Sequence, residues 1–242
     1  MPGMTATTSA RQGFWNRPTL AKAVLLVLGY LVFFVAVSRL IAWVFSGAID
    51  DDDPLADFST LFFGLALPIA IGGTALFLFA RWQGWAAEIF GRQPVEGRRW
   101  MWIAPMLVVL AIVAHVVGTE WSDWSAGQIL GLALVGAAVG FTEEIATRGI
   151  VVTMLRDAGH GEKFVAFIAS LLFALMHMTN LISGMAVTTV LATVVYTLGF
   201  GACMYLSMRV TGTIWAAIIL HGFTDPTTFL AAGGLDKAVT EQ

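Results

Sequence analysis

Seven stretches of this chain are candidates to cross a lipid bilayer. They run roughly over 23–46, 58–80, 100–118, 126–152, 163–182, 184–208 and 212–232. A hydrocarbon layer of about 30 Å is spanned by about 20 helical residues. Inside it the backbone must satisfy its own hydrogen bonds, which helices do within one segment. The expected fold is therefore all-α, a polytopic transmembrane helix bundle of about seven spans. Composition agrees: 58% of the 242 residues are hydrophobic and 12% are charged, against about 25% charged in an ordinary soluble domain. The surplus apolar surface has to face lipid. The net charge of −3 argues against a nucleic-acid partner. The single cysteine, Cys203, lies in an apolar run, so neither a disulfide framework nor a thiolate metal site is expected. The first apolar run begins near Ala21 and is too long for the core of a signal peptide.

The placement of basic residues orients the bundle. Arg11, Arg17 and Lys22 precede span one. Arg81, Arg92, Arg98 and Arg99 lie between spans two and three, Arg156 and Lys163 between four and five, and Arg209 between six and seven. All fall on one side of a seven-span arrangement. The other side holds Asp50 to Asp53, Asp57, Glu120 and Asp123. The expectation is an inside N-terminus and an outside C-terminus, in the plasma (cytoplasmic) membrane. Arg39, within span one, and Lys237, on the outer tail, depart from the pattern. The segment from Arg81 to Arg99 sets Trp82, Trp85, Ile89 and Phe90 among charges and reads as an interfacial amphipathic helix. Residues 1–100, with spans one and two and that segment, form the N-terminal part. Residues 101–242 carry all the motifs described next, the whole being one membrane domain.

Ionisable side chains inside a membrane are costly and are functional candidates by default. Here they are His115 and three short strings. In span four, Glu143-Glu144-Ile145-Ala146-Thr147-Arg148 sets Glu144 and Arg148 four residues apart, on one helix face. Glu143 lies about 100° further round, free to point into a cavity. In span five, Phe173-Ala174-Leu175-Met176-His177 ends on a histidine. In span seven, His221-Gly222-Phe223-Thr224-Asp225 places His221 and Asp225 on one face, with Pro226 expected to end or kink the helix. The plain alternatives are an interhelical ion cluster for Glu144 and Arg148, and interhelical hydrogen bonds for the histidines. At about 1.5 Å per residue, Glu143, His177 and His221 each lie roughly 12–21 Å from the cytoplasmic ends of their helices, so they can meet in one layer. Gly127, Gly131, Gly136 and Gly140 in span four read as packing positions. So do Tyr196 and Thr197 in span six.

The order Glu-Glu-x-x-x-Arg, Phe-x-x-x-His, His-x-x-x-Asn/Asp, in separate spans, resembles the CPBP family. That family comprises the Abi-like intramembrane proteases, including the type II CAAX prenyl endopeptidases and bacteriocin-processing or immunity proteins. The resemblance covers roughly residues 125–230. It implies an intramembrane peptidase acting on a membrane-associated protein or peptide. Glu143 and His177 would activate water, His221 and Asp225 would support the oxyanion, and Glu144, Arg148 and Phe173 would be supporting. Asp225 stands where the eukaryotic pattern has Asn. An ionised Asp cannot donate to an oxyanion, so it is expected either to be protonated or only to orient His221. The substrate carbonyl is expected to enter from the cytoplasmic half of the bilayer.

No cofactor is expected. Glu143, His177 and His221 would be the ligands of a catalytic zinc if there were one, but the His-Glu-x-x-His pattern is missing. Two other readings use the same residues. A non-catalytic immunity or scaffold protein would keep the fold without needing the water-activating pair. A proton-coupled transporter would use Glu and His as a relay, although the internal repeats that point to transporters are missing.

Overall fold

The computed structural model describes residues 14–233. Arg11 and Lys237, both used above in reading the orientation, lie outside the described residues. Within them every regular element is helical and no strand occurs.

Helix α1 (Leu20–Val44) begins at Thr19, whose hydroxyl accepts from the Lys22 N–H at 3.3 Å. Lys22 Nζ donates to the Phe14 and Arg17 carbonyls, 2.6 Å each. A π-helical stretch, Thr60–Ala66, leads into α2 (Leu67–Gln83). Asp57 starts it by accepting the Thr60 N–H at 2.8 Å, and that bond holds its carboxyl below the usual range. Then come α3 (Ala86–Phe90), α4 (Ile103–Gly118) after a 3-10 turn at Arg99–Trp102, and α5 (Ala126–Glu144). Helix α5 opens with a capping box between Ser125 and Gln128. It passes through a second π-helical stretch, Ile145–Val151, into α6 (Val152–Asp157). Next are α7 (Glu162–Met176), a 3-10 turn at His177–Leu181, α8 (Val187–Thr211) and α9 (Ile214–Ala232).

Six of these helices are long and apolar enough to cross a membrane: Leu20–Val44, Thr60–Gln83, Arg99–Gly118, Ala126–Asp157, Glu162–Leu181 and Val187–Thr211. The protein is thus a multi-pass integral membrane protein. The seventh expected span is also a helix, the 19 residues of α9. His221, Asp225, Pro226 and four threonines or glycines around them leave it outside the apolar set.

Two expectations change. The Arg81–Arg99 segment is not one amphipathic helix. Helix α2 runs on to Gln83, α3 has five residues, and 91–98 is an irregular strap. Pro94 and Gly97 explain this. A Cβ on Gly97 would lie 2.5 Å from Val210 Cα, so the strap lies directly on the backbone at the end of α8. Pro226 does not end α9, which continues to Gly233 in the left-handed region. The ring packs against Gly136, where a Cβ would sit 2.7 Å from it.

The spine of the fold is the α5–α9 contact. At Gly140 a Cβ would come within 2.6 Å of the Ile218 carbonyl oxygen, and Gly131 meets Leu61 in the same manner at 2.8 Å. Small residues let backbones approach where lipid supplies no hydrophobic drive between helices. The packing role expected of the span-four glycines is what the structure contains. Around this spine, residues 144–155 are buried without interruption, including Arg148 at 1% exposure.

Candidate active site

The π-helical stretch that follows Glu144 sits at the centre of the bundle. Such insertions recur at functional sites because they re-aim side chains within a continuous helix. Here the stretch leaves Glu144 and Arg148 on one face. Arg148 Nη1 lies 3.0 Å from Glu144 Oε1, with both side chains fully buried. Arg148 also donates from Nη1 to Thr147 Oγ1 at 2.8 Å and from Nη2 to the Gly201 carbonyl at 2.7 Å. Its guanidinium carbon stands 4.4 Å over the Phe173 ring. Gly201 is required there, since a Cβ would be 3.0 Å from both Nη2 and that ring.

The same carboxylate oxygen, Glu144 Oε1, lies 2.8 Å from His221 Nδ1. An ionised carboxylate only accepts, so Nδ1 carries the proton. A chain Arg148–Glu144–His221 thus joins α5 with its π-helical extension to α9. His221 is 2% exposed. Phe173 and Phe200 press their edges or faces on it at 5.6 and 5.0 Å between centroids. The other nitrogen, Nε2, faces Asp225 Oδ2 at 3.6 Å and Glu143 Oε2 at 4.0 Å. Those two carboxylates keep some exposure, 22% for Glu143 and 27% for Asp225. Glu143 Oε2 is itself enclosed and has no protein hydrogen-bond partner. The Glu143 carbonyl accepts from Thr147 Oγ1 at 2.6 Å, which fixes the backbone at this position.

His177 closes α7. Its Nδ1 meets the Phe173 carbonyl at 3.1 Å and its ring packs edge-on to Phe173, 5.3 Å between centroids. With Nδ1 bound to a carbonyl, Nε2 is left as the acceptor of a neutral ring. Among the described residues no direct hydrogen bond joins His177 to Glu143. His177, His221 and Asp225 instead line one cavity of about 1360 Å³, bounded by Phe173, Tyr196, Thr197 and Phe200. Glu143, Glu144, Asp225 and His221 are thus gathered directly, and His177 joins them across the cavity.

Over residues 124–227 the chain matches the family model described as type II CAAX prenyl endopeptidase Rce1-like. Over these residues the chain is similar to the Rce1-like CAAX proteases. The matched region contains every residue of the three motifs. The likeness is to a family of CAAX-protease-like intramembrane proteases. No curated protein and no solved structure matches the chain significantly.

The alternative zinc ligands Glu143, His177 and His221 do not form a ligand set. Among the described residues no three His, Cys, Asp or Glu side chains are arranged to hold a metal ion. His115 lies apart from the cluster, with Nδ1 3.3 Å from Thr228 Oγ1. Sequence reasoning passed over Gly201 and Phe200, and read as packing positions Tyr196 and Thr197, which line the cavity. It also passed over a second polar cluster at the far end of the bundle. There Glu162 bonds Arg156 at 2.8 Å and Arg209 at 2.6 Å, and Tyr205 joins them. Arg209 also donates to the Val95 and Glu96 carbonyls, at 3.0 and 2.8 Å. The clue was present: Glu162 is an acidic residue amid the basic ones between spans four and five.

Proposed function

We propose that the protein is an intramembrane endopeptidase that hydrolyses a peptide bond of a membrane-associated protein or peptide with water activated by Glu143 and His177. The observation that carries the reading is Glu143 Oε2, an enclosed carboxylate oxygen without a protein donor, 4.0 Å from His221 Nε2. A general base needs a free lone pair beside the reacting water. His177 Nε2, left free by the Nδ1 contact to the Phe173 carbonyl and standing on the cavity wall with His221 and Asp225, accepts the second proton of that water as a hydrogen bond. Attack on the carbonyl carbon forms the tetrahedral intermediate and transfers the proton to Glu143, which returns it to the leaving amine.

His221 supplies the oxyanion donor. Because Nδ1 donates to Glu144, Nε2 donates only when the ring is an imidazolium. Glu144, Asp225 and Glu143, all within 4.0 Å, are its counter-charges. Glu144 thereby acquires a positioning role, holding the ring as the buried aspartate does in a serine-protease triad. Asp225 balances charge rather than donating. No serine, cysteine or threonine nucleophile is needed.

In the same reading the bundle crosses the plasma membrane seven times, with α9 as the last span, N-terminus inside and C-terminus outside. The basic turns at Arg92–Arg99, Arg156–Lys163 and Arg209 then face the cytoplasm.

Peptidomics on membranes holding wild type and Glu143→Gln at matched folded amounts tests the activity. The expected result is a cleavage product that is present with wild type and absent with the variant. Identical peptide sets overturn the peptidase reading.

A further inference from the structure

The wall of the cavity is poor in free hydrogen-bond donors. Thr193, Thr197, Thr224 and Thr228 all border it. Each of these hydroxyls donates to a carbonyl of its own helix, at 2.9, 2.7, 2.8 and 2.8 Å respectively. The bordering carboxylates only accept when ionised. Tyr196 and Ser183 also border the cavity, from exposed positions.

Asn180 is different. It borders the cavity from a half-buried position. Among the described residues its carboxamide makes no hydrogen bond, although its backbone carbonyl accepts the Met185 N–H at 3.2 Å. An asparagine in a turn ordinarily bonds its side chain to nearby backbone. Here Thr179 makes that kind of bond, from Oγ1 to the Met176 carbonyl at 2.8 Å. The Asn180 carboxamide is left for the cavity.

Its position follows from the turn. His177–Leu181 is a 3-10 helix, in which side chains three residues apart eclipse one another. Asn180 therefore shares a face with His177, and both border the cavity. A rise of about 2.0 Å per residue sets them about 6 Å apart along the axis. An extended peptide advances about 3.4 Å per residue, so that separation matches about two substrate residues. A carboxamide offers donors and an acceptor side by side. The N–H and C=O of one residue in an extended chain leave by the same edge, so the two sets are complementary.

We infer that Asn180 is a substrate-binding residue, whose carboxamide pairs with the N–H and C=O of one residue of an extended peptide about two residues from the bond cleaved. Under the peptidase reading, on which this assignment rests, His177 holds the attacking water and Asn180 holds the backbone beside it. Recognition of this kind is indifferent to the substrate's side chains and leaves sequence preference to apolar walls such as Leu191, Val195 and Phe200.

The chain has two asparagines, Asn16 and Asn180, so isotope-labelled asparagine places one magnetic-resonance reporter at the cavity and a reference before α1. The probe is a capped peptide of alternating leucine and alanine, added to full-length Glu143→Gln protein in detergent, where it stays intact. The Asn180 carboxamide signals should shift and those of Asn16 should not. The same peptide methylated on its backbone nitrogens should leave both in place. A shift with neither peptide, or an equal shift with both, overturns the assignment. On a peptide that wild type cleaves, Asn180→Ala should raise KM about three- to tenfold, the scale of one neutral hydrogen bond, with kcat and melting temperature near wild type. A pattern of this kind marks binding shared by ground and transition states; a fall in kcat at constant KM overturns it. Should wild type yield no Glu143-dependent product, the peptidase reading falls, while the resonance experiment still decides whether Asn180 binds a peptide backbone.

Discussion

Nδ1 of His221 sits 2.8 Å from a carboxylate oxygen that Arg148 also holds, at 3.0 Å. This single shared oxygen separates the two adjacent glutamates by role, and the separation can be measured. Glu143→Gln removes the proposed base but no protein hydrogen bond to its Oε2. The rate should fall by about 10²–10⁴ with an unchanged melting temperature in detergent. Glu144→Gln leaves Arg148 buried without its counter-charge, a loss of about 3–5 kcal/mol. It should lower the melting temperature and also slow cleavage, because the ring loses the carboxylate that fixes its tautomer. A Glu144→Gln protein that melts like wild type and turns over normally would remove Glu144 from both roles. The three motifs and the Glu144–Arg148 pair were legible in the sequence because each is an i to i+4 relation on one helix. The His221–Glu144 bond was not, since it joins residues 77 apart in the chain. Nor was the third arginine contact, which ends on a backbone carbonyl and leaves no side-chain signature at Gly201.

Glycine placement governs the elements. Along α5, Gly140 lies against the α9 backbone, so Gly140→Ala must push α9 away and carry His221 off Glu144. Overpacking of this kind costs about 1–3 kcal/mol, and activity should drop with stability. Gly199→Ala is the matched control: a Cβ there meets nothing within 4 Å, so melting temperature and turnover should both stay near wild type. A wild-type melting curve for Gly140→Ala would contradict the close packing described. Helix existence was readable from hydropathy, and most boundaries fell within a few residues. The strap was misread because Trp82, Trp85 and Phe90 mimic an amphipathic pattern, while its real shape is set by Gly97 and by three carbonyl or amide contacts to α8 and the turn after it. Pro226, which reads as ending or kinking α9, does not end it: the neighbouring Gly136 gives the proline ring room within a continuous helix.

For the molecule as a whole, the basic and acidic ends make topology the first quantity to measure. Reporter fusions at Asp53 and Gln242 should read outside and one at Arg92 inside; an inside reading at Gln242 would mean that α9 does not cross. The polar cluster of Glu162, Arg156, Tyr205 and Arg209 binds α6, α7, α8 and the strap at the basic end. At the cavity end, among the described residues, the turn 177–186 is hydrogen-bonded only to residues within a few positions of itself. The bundle is therefore fastened like a clothes-peg, with its spring at the arginines and its jaws at Ser183. Amide exchange should accordingly be fast at Leu181–Met185 and slow at Gln93, and Arg209→Ala, which removes the bonds to the Val95 and Glu96 carbonyls, should quicken exchange at Gln93.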